Sequence, residues 1–247
     1  MTVSVIIPTL NEAPRVEAAI RSAFTAGADE VLVVDGGSDD ETVAVAGATD
    51  AVIITASPGR GGQQNAGAAA AQGELLLFLH ADNALGPECI TQARQAIADG
   101  QGCGAFRQRI LARGAAYRLL ELGNAWRVRY WGLPYGDQAI FVTRQLLRRG
   151  GGFPETKLME DLLLMKRLRR LQWPVLLPGP VNVSPRRWEE VGIVSQTLHN
   201  WRLVWALRCG ADPDELVQWY PPHRSEGAGQ SQTESTEPRE AAGGVSS

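Results

Sequence analysis

Short apolar runs alternate with stretches of helical spacing along the first third of the chain. The runs are rich in β-branched residues and predict buried strands, while apolar positions three and four residues apart predict helices that cover them. Strands that alternate with helices imply a parallel sheet with right-handed crossovers. The predicted strands are Val3–Ile7, Glu30–Val34, Ala51–Thr55 and Glu74–Leu79, and the predicted helices are Asn11–Phe24, Ser38–Ala46 and Gly62–Ala71.

The pattern is less regular after Pro87. Helical spacing returns in three stretches, and shorter apolar runs between them predict further strands, the first of them exposed. The predicted helices are Glu88–Asp99, Ala115–Tyr130 and Glu160–Leu171, and the predicted strands are Gly104–Leu111, Gln138–Val142 and Val175–Leu177. From Trp188 to Trp219 tryptophans and leucines recur at roughly helical intervals, which predicts an amphipathic terminal segment.

Composition narrows the classes of function. The chain has 247 residues, enough for one α/β domain with a sizeable core, and its formal net charge of −3 gives no case for a nucleic-acid partner. Its three cysteines include no CxxC pair, so neither a disulfide framework nor a zinc site is expected. No apolar stretch reaches the ~20 residues that span a bilayer, and the expected location is the cytoplasm.

Two segments could contact a membrane surface or a second copy of the chain. Ala115–Tyr130 alternates arginine with leucine, tryptophan and tyrosine, and Trp201, Trp205 and Trp219 add aromatic surface. Such a pattern suits a helix at the inner face of a membrane, a homodimer interface, or packing against the rest of the domain. Burial, against the domain or in a homodimer, is the expected outcome.

Two acidic residues, Asp35 and Asp82, follow predicted strands. In open α/β sheets ligands bind at the carboxyl ends of the strands. A carboxylate placed there can hold a divalent cation, and the cation can hold a diphosphate. Either residue alone is more typical of a turn or a helix N-cap, but the two in matching positions indicate a nucleotide and metal site.

A glycine-rich loop, Gly59–Asn65, precedes a predicted helix and contains Arg60. Glycines allow a diphosphate to approach the backbone, and the guanidinium and the helix N-terminus both favour negative charge. The loop is not a Walker A sequence, because the Gly-Lys-Ser/Thr ending is absent. By itself it indicates only a turn, and its place before the strand that leads to Asp82 favours a phosphate contact.

Five blocks of the sequence resemble the inverting family 2 glycosyltransferases of the GT-A fold. They are Val5–Glu12, Val33–Thr42, Asn65-x-Gly67, Gly73 and Leu77–Asp82. The resemblance covers residues 3 to 220. It implies an α/β GT-A fold of the nucleotide-diphospho-sugar transferase type, with a mainly parallel central sheet flanked by helices and a helical C-terminal segment. Pro134–Gln138 and Arg186–Glu189 resemble a compact bacterial subgroup of this family associated with arsenosugar biosynthesis or selenium.

With this resemblance the chain is expected to have three parts. Residues 1–188 would form the GT-A catalytic domain, with a nucleotide-binding half at 1–85 and an acceptor half at 86–188. Residues 189–221 would form a helical C-terminal segment. Residues 222–247 contain almost nothing apolar and are expected to be disordered.

The resemblance implies a donor-binding set and a metal ligand. The residues implied to contact a nucleoside diphosphate sugar are Pro8, Leu10, Glu12, Asp35, Ser38, Arg60, Asn65, His80 and Arg187. Asp82 corresponds to the last acid of the family's Asp-x-Asp motif and is implied to bind a divalent metal, Mn²⁺ or Mg²⁺. His80 stands where an aspartate is common, and its imidazole can ligate the metal, hydrogen-bond a ribose, or be a buried structural group.

The acidic pair Glu160 and Asp161 opens a predicted helix and resembles the family's Glu-Asp motif. Inverting transfer needs a base that takes the acceptor proton, and Asp161 is the predicted base, with Glu160 second. The alternative is that both acids only favour the positive end of the helix. The residues predicted to line the acceptor pocket are Tyr135, Asp137, Gln138 and Trp188. The alternative for Asp137 is a residue that closes a hairpin turn, and the alternative for Trp188 is a core tryptophan beside a basic surface turn.

The predicted function is transfer of a sugar, with inversion, from a nucleoside diphosphate donor to a small-molecule or lipid-linked acceptor. A protein that binds the nucleotide sugar but has lost transfer is the alternative, because His80 replaces an acid. A nicotinamide-dependent dehydrogenase is disfavoured, because the first strand leads into Pro8–Asn11 rather than a Gly-x-Gly-x-x-Gly turn.

Overall fold

A computed structural model describes residues 1–216 and 218, except the side chains of residues 187, 190, 200 and 208. Within this part of the chain the strands are β1 Val3–Thr9, β2 Glu30–Asp35, β3 Val52–Thr55, β4 Leu75–Phe78, β5 Asn83–Leu85, β6 Cys103–Ile110, β7 Ile140–Thr143 and β8 Val175–Val183. The helices are α1 Ala13–Thr25, α2 Thr42–Gly47, α3 Arg60–Ala70, α4 Cys89–Ala98, α5 Ala115–Trp131, α6 Arg144–Arg149, α7 Glu160–Leu171, α8 Arg186–Val191, α9 Ile193–Arg208 and α10 Pro213–Leu216, with a 3-10 turn at Gly136–Gln138.

All eight strands belong to one sheet in the order β3-β2-β1-β4-β7-β6-β8-β5. In its first half β1 pairs in parallel with β2 and β4, and β2 pairs in parallel with β3. All residues of β1 are buried, as expected for a strand inside a parallel sheet that is covered on both faces. The parallel half predicted from the sequence is confirmed.

The second half of the sheet is mixed. β7 is antiparallel to both β4 and β6, β8 is parallel to β6, and β5 is antiparallel to β8. Parallel pairings still outnumber antiparallel ones, and the predicted α/β class with a mainly parallel central sheet is confirmed. The connections return the chain to the edge where β2 and β4 end, so residues 135–161 can face the first half.

Several predictions of the second half are wrong. The strand expected to be exposed at Gly104–Leu111 is β6, whose first four residues are buried because it lies between β7 and β8. β8 continues past Leu177 through a Pro-Gly-Pro sequence that interrupts the apolar pattern. Strand β5 and helix α6 are absent from the prediction, because elements this short carry too little periodicity to be recognised. The predicted disordered segment 222–247 lies outside the described residues.

Two helices leave large apolar side chains in contact with solvent. On α5, Leu119, Leu122, Trp126 and Tyr130 are exposed, and on α9 Trp201 and Trp205 are 68% and 70% exposed. The expected burial against the domain is therefore wrong for these side chains, and Trp219 lies outside the described residues. Among the described residues no helix combines the length and hydropathy needed to cross a membrane.

Candidate active site

Asp35 ends β2 and organises the turn that follows it. Its Oδ2 accepts hydrogen bonds from the backbone N–H groups of Gly37 at 2.9 Å and Ser38 at 3.0 Å, and its Oδ1 accepts one from the Ser38 hydroxyl at 2.5 Å. Burial raises the pKa of Asp35, but these hydrogen bonds outweigh burial and hold the pKa below its ordinary value. The carboxylate is therefore charged at neutral pH.

The loop after β1 is joined to the Asp35 turn. Asn11 has a positive φ of 56°; its N–H donates to the Ser38 hydroxyl at 2.9 Å, and its side-chain oxygen accepts from the Asp39 N–H at 2.9 Å. The Glu12 N–H donates to the Thr42 hydroxyl at 2.8 Å. Of the predicted donor residues on this loop, Pro8 is buried in β1, Leu10 is exposed and Glu12 is half-buried.

The glycine-rich loop opens α3 and touches the segment before α7. A Cβ on Gly61 would lie 2.3 Å from the Pro154 carbonyl oxygen, so only glycine allows this close approach. Arg60 Nε lies 2.9 Å from Glu160 Oε1, and the Glu160 side chain is only 2% exposed. Burial raises the pKa of Glu160, Arg60 lowers it and Asp161 raises it, and the pKa lies above its ordinary value. The predicted phosphate and base blocks are therefore joined by an ion pair.

Asn65 forms a second link between α3 and this segment. Its Nδ2 donates to the Phe153 carbonyl at 2.8 Å, and its Oδ1 accepts from the Phe153 N–H at 2.9 Å. The amide thus pairs with the backbone as a neighbouring strand would. Its predicted contact with the donor stays a prediction.

Asp161 and His80 meet at Gly136. Asp161 Oδ2 accepts a short hydrogen bond from the Gly136 N–H, and its Oδ1 accepts from the Leu162 N–H at 2.6 Å. A Cβ on Gly136 would lie 2.5 Å from His80 Nε2 and 3.2 Å from Asp161 Oδ2. His80, two residues after β4, and Asp161, the predicted base on α7, therefore approach the same point beside Gly136.

The surroundings of the His80 imidazole favour its neutral form. Burial lowers its pKa, and the nearby Arg60 charge lowers it further, against opposing effects of Asp82, Asp137 and Asp161. Three carboxylates thus lie within electrostatic range of one neutral ring.

Asp82 is exposed and immediately precedes β5. It raises the pKa of Glu12 in addition to the larger effect of burial on that group. The described residues include no set of three His, Cys, Asp or Glu side chains that would hold a metal ion by themselves. A carboxylate and an imidazole are suitable ligands for a divalent ion. The site therefore fits a metal whose remaining ligands come from a bound diphosphate and water.

A buried polar network, which sequence reasoning missed, supports the turn next to Asp161. The Arg127 guanidinium carbon lies 3.4 Å from the centroid of the Tyr135 ring. Its Nη2 donates to Gln138 Oε1 at 2.7 Å and its Nε to the Leu133 carbonyl at 2.9 Å. Burial lowers the pKa of Arg127 and raises that of Tyr135.

The network continues to the backbone of Asp137. Arg127 Nη1 donates to Asn124 Oδ1 at 2.9 Å, and Asn124 Nδ2 donates to Gln108 Oε1 at 2.6 Å. Gln108 Nε2 and Asn83 Nδ2 donate to the Asp137 carbonyl at 3.3 Å and 3.2 Å. The sequence did contain one signal for Gln108. It lies between two arginines of a strand, and because side chains of a strand alternate between its two faces, Gln108 points inward when the arginines point outward.

Two predicted residues lie near the start of α8. Trp188 is 9% exposed and packs in the apolar core with residues of β5 and β8, which is the alternative described above for it. The Arg187 side chain lies outside the described residues. Their predicted contacts with acceptor and donor stay predictions.

Comparisons with known proteins agree with this arrangement. A family model described as Glycosyl transferase family 2 matches residues 4–148. Two proteins of Mycobacterium tuberculosis, from strains CDC 1551 and H37Rv, are each named an uncharacterized glycosyltransferase. Each is 37% identical over 109 residues, which is 41% of this chain and 41% of the relative. The matched part is thus about two fifths of the length of these curated relatives.

Solved structures share the fold at low identity. S. aureus TarS, residues 1–349, has a TM-score of 0.60 at 19% identity, covering 89% of this chain and 69% of that one. Glucosyl-3-phosphoglycerate synthase from Mycobacterium tuberculosis, in complex with Mn²⁺ and UDP-glucose, has a TM-score of 0.57 at 23% identity, covering 85% and 80%. At these identities the likeness concerns the fold.

Proposed function

Because the chain belongs to glycosyl transferase family 2, we propose that it transfers a sugar from a nucleoside diphosphate donor to an acceptor hydroxyl, with inversion at the anomeric carbon. One observation carries the proposal: His80, from the strand end on the donor side, and Asp161, the predicted base, meet at Gly136. A sugar bound beside this glycine would have the strand end that holds the donor and the carboxylate that takes the acceptor proton both within reach of its anomeric carbon.

The Asp35 turn and Arg60 would hold the donor. Asp35 is a charged acceptor at a strand end, suited to the N–H or O–H groups of a base or ribose. Arg60 is 43% exposed on its side chain and opens a helix, so its guanidinium can reach a diphosphate while Glu160 holds its Nε. The solved structures of TarS with UDP-GlcNAc and of the synthase with UDP-glucose support a donor of this class.

Asp161 would act as the general base. Each of its oxygens accepts one backbone N–H and keeps a lone pair for an acceptor hydroxyl. The hydroxyl oxygen forms a bond to the anomeric carbon while its proton moves to Asp161. The bond from that carbon to the diphosphate breaks, and its electron pair leaves with the diphosphate.

Asp82, with His80 beside it, would hold a divalent metal together with the donor diphosphate. A bound metal stabilises the negative charge of the departing diphosphate. The Mn²⁺ in the complexes of the synthase supports this part of the proposal.

Tyr135, Asp137 and Gln138 would line the acceptor pocket, held by the Arg127 network. The acceptor is a small molecule or a lipid-linked one. We also propose that the chain belongs to the subgroup associated with arsenosugar biosynthesis or selenium. This membership does not identify the acceptor.

Donor hydrolysis tests the proposal without knowledge of the acceptor, because water can take the acceptor's place. Purified protein is incubated with UDP-, GDP- and dTDP-sugars and Mn²⁺, and the released sugar is followed by proton NMR before it mutarotates. We expect at least one α-linked donor to release the β-sugar first. Initial release of the α-sugar would contradict inversion. Binding of a donor without its hydrolysis, and without transfer to small-molecule or lipid extracts, would favour the protein that has lost transfer.

A further inference from the structure

Four exposed aromatic side chains gather at the C-terminal end of α5. Trp126, Tyr130, Trp131 and Trp173, here called the aromatic patch, are 53%, 56%, 38% and 49% exposed. The ring of Trp126 lies 4.9 Å from that of Tyr130 and 5.6 Å from that of Trp131, centroid to centroid. A Cβ on Gly132, which ends α5, would lie 3.2 Å from the Trp173 indole, so the fourth ring belongs to the same surface.

Arginines stand in the last turns of α5 and α7, the two helix ends next to which the aromatic patch lies. Arg129 and Arg170 are exposed, and Arg169 Nη1 donates to the Trp131 carbonyl at 2.6 Å. The acidic side chain of α5, Glu121, lies five residues before Trp126 and contacts Arg118 at 3.0 Å. The surface thus combines indole and phenol rings with guanidinium groups.

We propose that the aromatic patch docks on an anionic membrane surface. Tryptophan and tyrosine favour the boundary between headgroups and acyl chains, because one end of each ring is apolar and the other is polar. Guanidinium groups bind phosphate with several donors and add electrostatic attraction to anionic lipid. A contiguous cluster of exposed rings is itself typical of an interaction site.

The charges favour lipid over a second copy of the chain. A twofold interface would place the same patch on both sides, so it would gather Arg129, Arg169 and Arg170 of both copies in one interface. Like charges that face each other oppose association, whereas anionic headgroups neutralise all three. The exposed stripe on α9, which includes Trp201 and Trp205, has Arg202 beside it but no comparable cluster of arginines among the described side chains, and it serves as the control.

Docking there would bring the membrane close to the acceptor turn. Arg127, on the same helix as Trp126 and Tyr130, stacks on Tyr135. If the proposed function holds, this placement selects the lipid-linked acceptor over the small molecule.

Co-sedimentation of the full chain with vesicles tests the docking. Vesicles of phosphatidylglycerol and phosphatidylcholine are compared with phosphatidylcholine alone, at low and high salt. We expect the wild type to sediment with anionic vesicles at low salt and less at high salt. Trp126→Gln/Tyr130→Gln should lower the bound fraction about tenfold or more, while the matched control Trp201→Gln/Trp205→Gln binds like the wild type. Arg129→Gln/Arg170→Gln gives the same test through charge if the aromatic variant does not fold.

Failure of the wild type to sediment at low salt, or unchanged binding by both patch variants, would overturn the proposal. A dimer in sedimentation velocity that the aromatic variant abolishes, without vesicle binding, would also overturn it in favour of a second copy. Donor hydrolysis in lipid-free buffer is measured on the same samples. It reports the proposed function separately, because the patch residues have no part in the catalytic site.

Discussion

The Arg127 guanidinium lies over the ring of Tyr135, 3.4 Å from guanidinium carbon to ring centroid. The same side chain donates to Gln138, Asn124 and the Leu133 carbonyl. These contacts fix both ends of the turn whose Gly136 N–H donates to Asp161. Arg127 is therefore a positioning residue for the proposed base, although it does not touch Asp161.

Replacing Arg127 should affect both stability and turnover. Arg127→Met leaves Gln138 Oε1 and the Leu133 carbonyl without this donor, which should lower the free energy of unfolding by about 3 kcal/mol. A displaced turn should lower kcat by roughly tenfold or more, with donor affinity little changed. Arg127→Lys keeps the charge but not the planar guanidinium, so its free energy of unfolding and its kcat should lie between those of the wild type and the methionine variant. Urea unfolding and donor hydrolysis measure the two effects, and a folded methionine variant with wild-type kcat would contradict the positioning role.

Gly136→Ala should reduce turnover by a steric effect. The added Cβ would lie 2.5 Å from His80 Nε2 and 3.2 Å from Asp161 Oδ2, so at least one of these side chains must move. We expect kcat to fall about tenfold or more while nucleotide binding at the Asp35 turn persists. Gly123→Ala is the control: its Cβ meets nothing within 4 Å, and alanine should stabilise that helix by about 0.5–1 kcal/mol. Equal kcat in the two variants would remove the steric explanation.

Glu160 should make the stability of the domain depend on pH. Its pKa is raised above the ordinary 4.5, mainly by burial, so folding favours its protonated form. That contribution is fully present below pH 4.5 and is lost as the pH rises through the folded pKa. Glu160→Gln, which stays neutral, should gain stability relative to the wild type as pH increases through this window. Urea unfolding across pH 4.5 to 8 checks this, with the exposed Glu155→Gln expected to track the wild type; parallel curves for Glu160→Gln and wild type would refute it.

The metal proposal predicts dependence on a divalent ion. EDTA should reduce donor hydrolysis, and Mn²⁺ or Mg²⁺ should restore it, because Asp82 and the diphosphate would hold the ion together. Asp82→Asn should raise the metal concentration for half-maximal activity by about tenfold or more. Asp50→Asn, in the turn before β3, should match the wild type. Full activity in EDTA would exclude metal assistance.

Local sequence was enough to predict the parallel half of the sheet. Alternating apolar runs and helical stretches give β1 to β4 nearly within their observed bounds, and Asp35 ends its strand as predicted. The turn chemistry at Ser38 delays the start of α2 to Thr42, because Ser38 is held by the Asp35 carboxylate instead of opening the helix. Such a shift at an element boundary follows from one side chain that hydrogen-bonds its own turn.

The links across the site could not be predicted in this way. Arg60 pairs with Glu160 and Asn65 with Phe153, and in both cases the partners come from distant parts of the sequence. Nothing in either local sequence specifies the other, since tertiary packing alone brings them together. Arg127 was missed for the same reason: in a helix rich in exposed arginines, the sequence alone does not distinguish the one that turns inward.

Asp161→Asn tests the central claim most directly. The variant and the wild type are compared for donor hydrolysis and for donor affinity by thermal shift, which reports binding to the native state. The proposed base predicts a fall in kcat of about 10²–10⁴-fold with donor affinity nearly unchanged. Turnover by a folded Asp161→Asn protein within about threefold of the wild type would contradict the account.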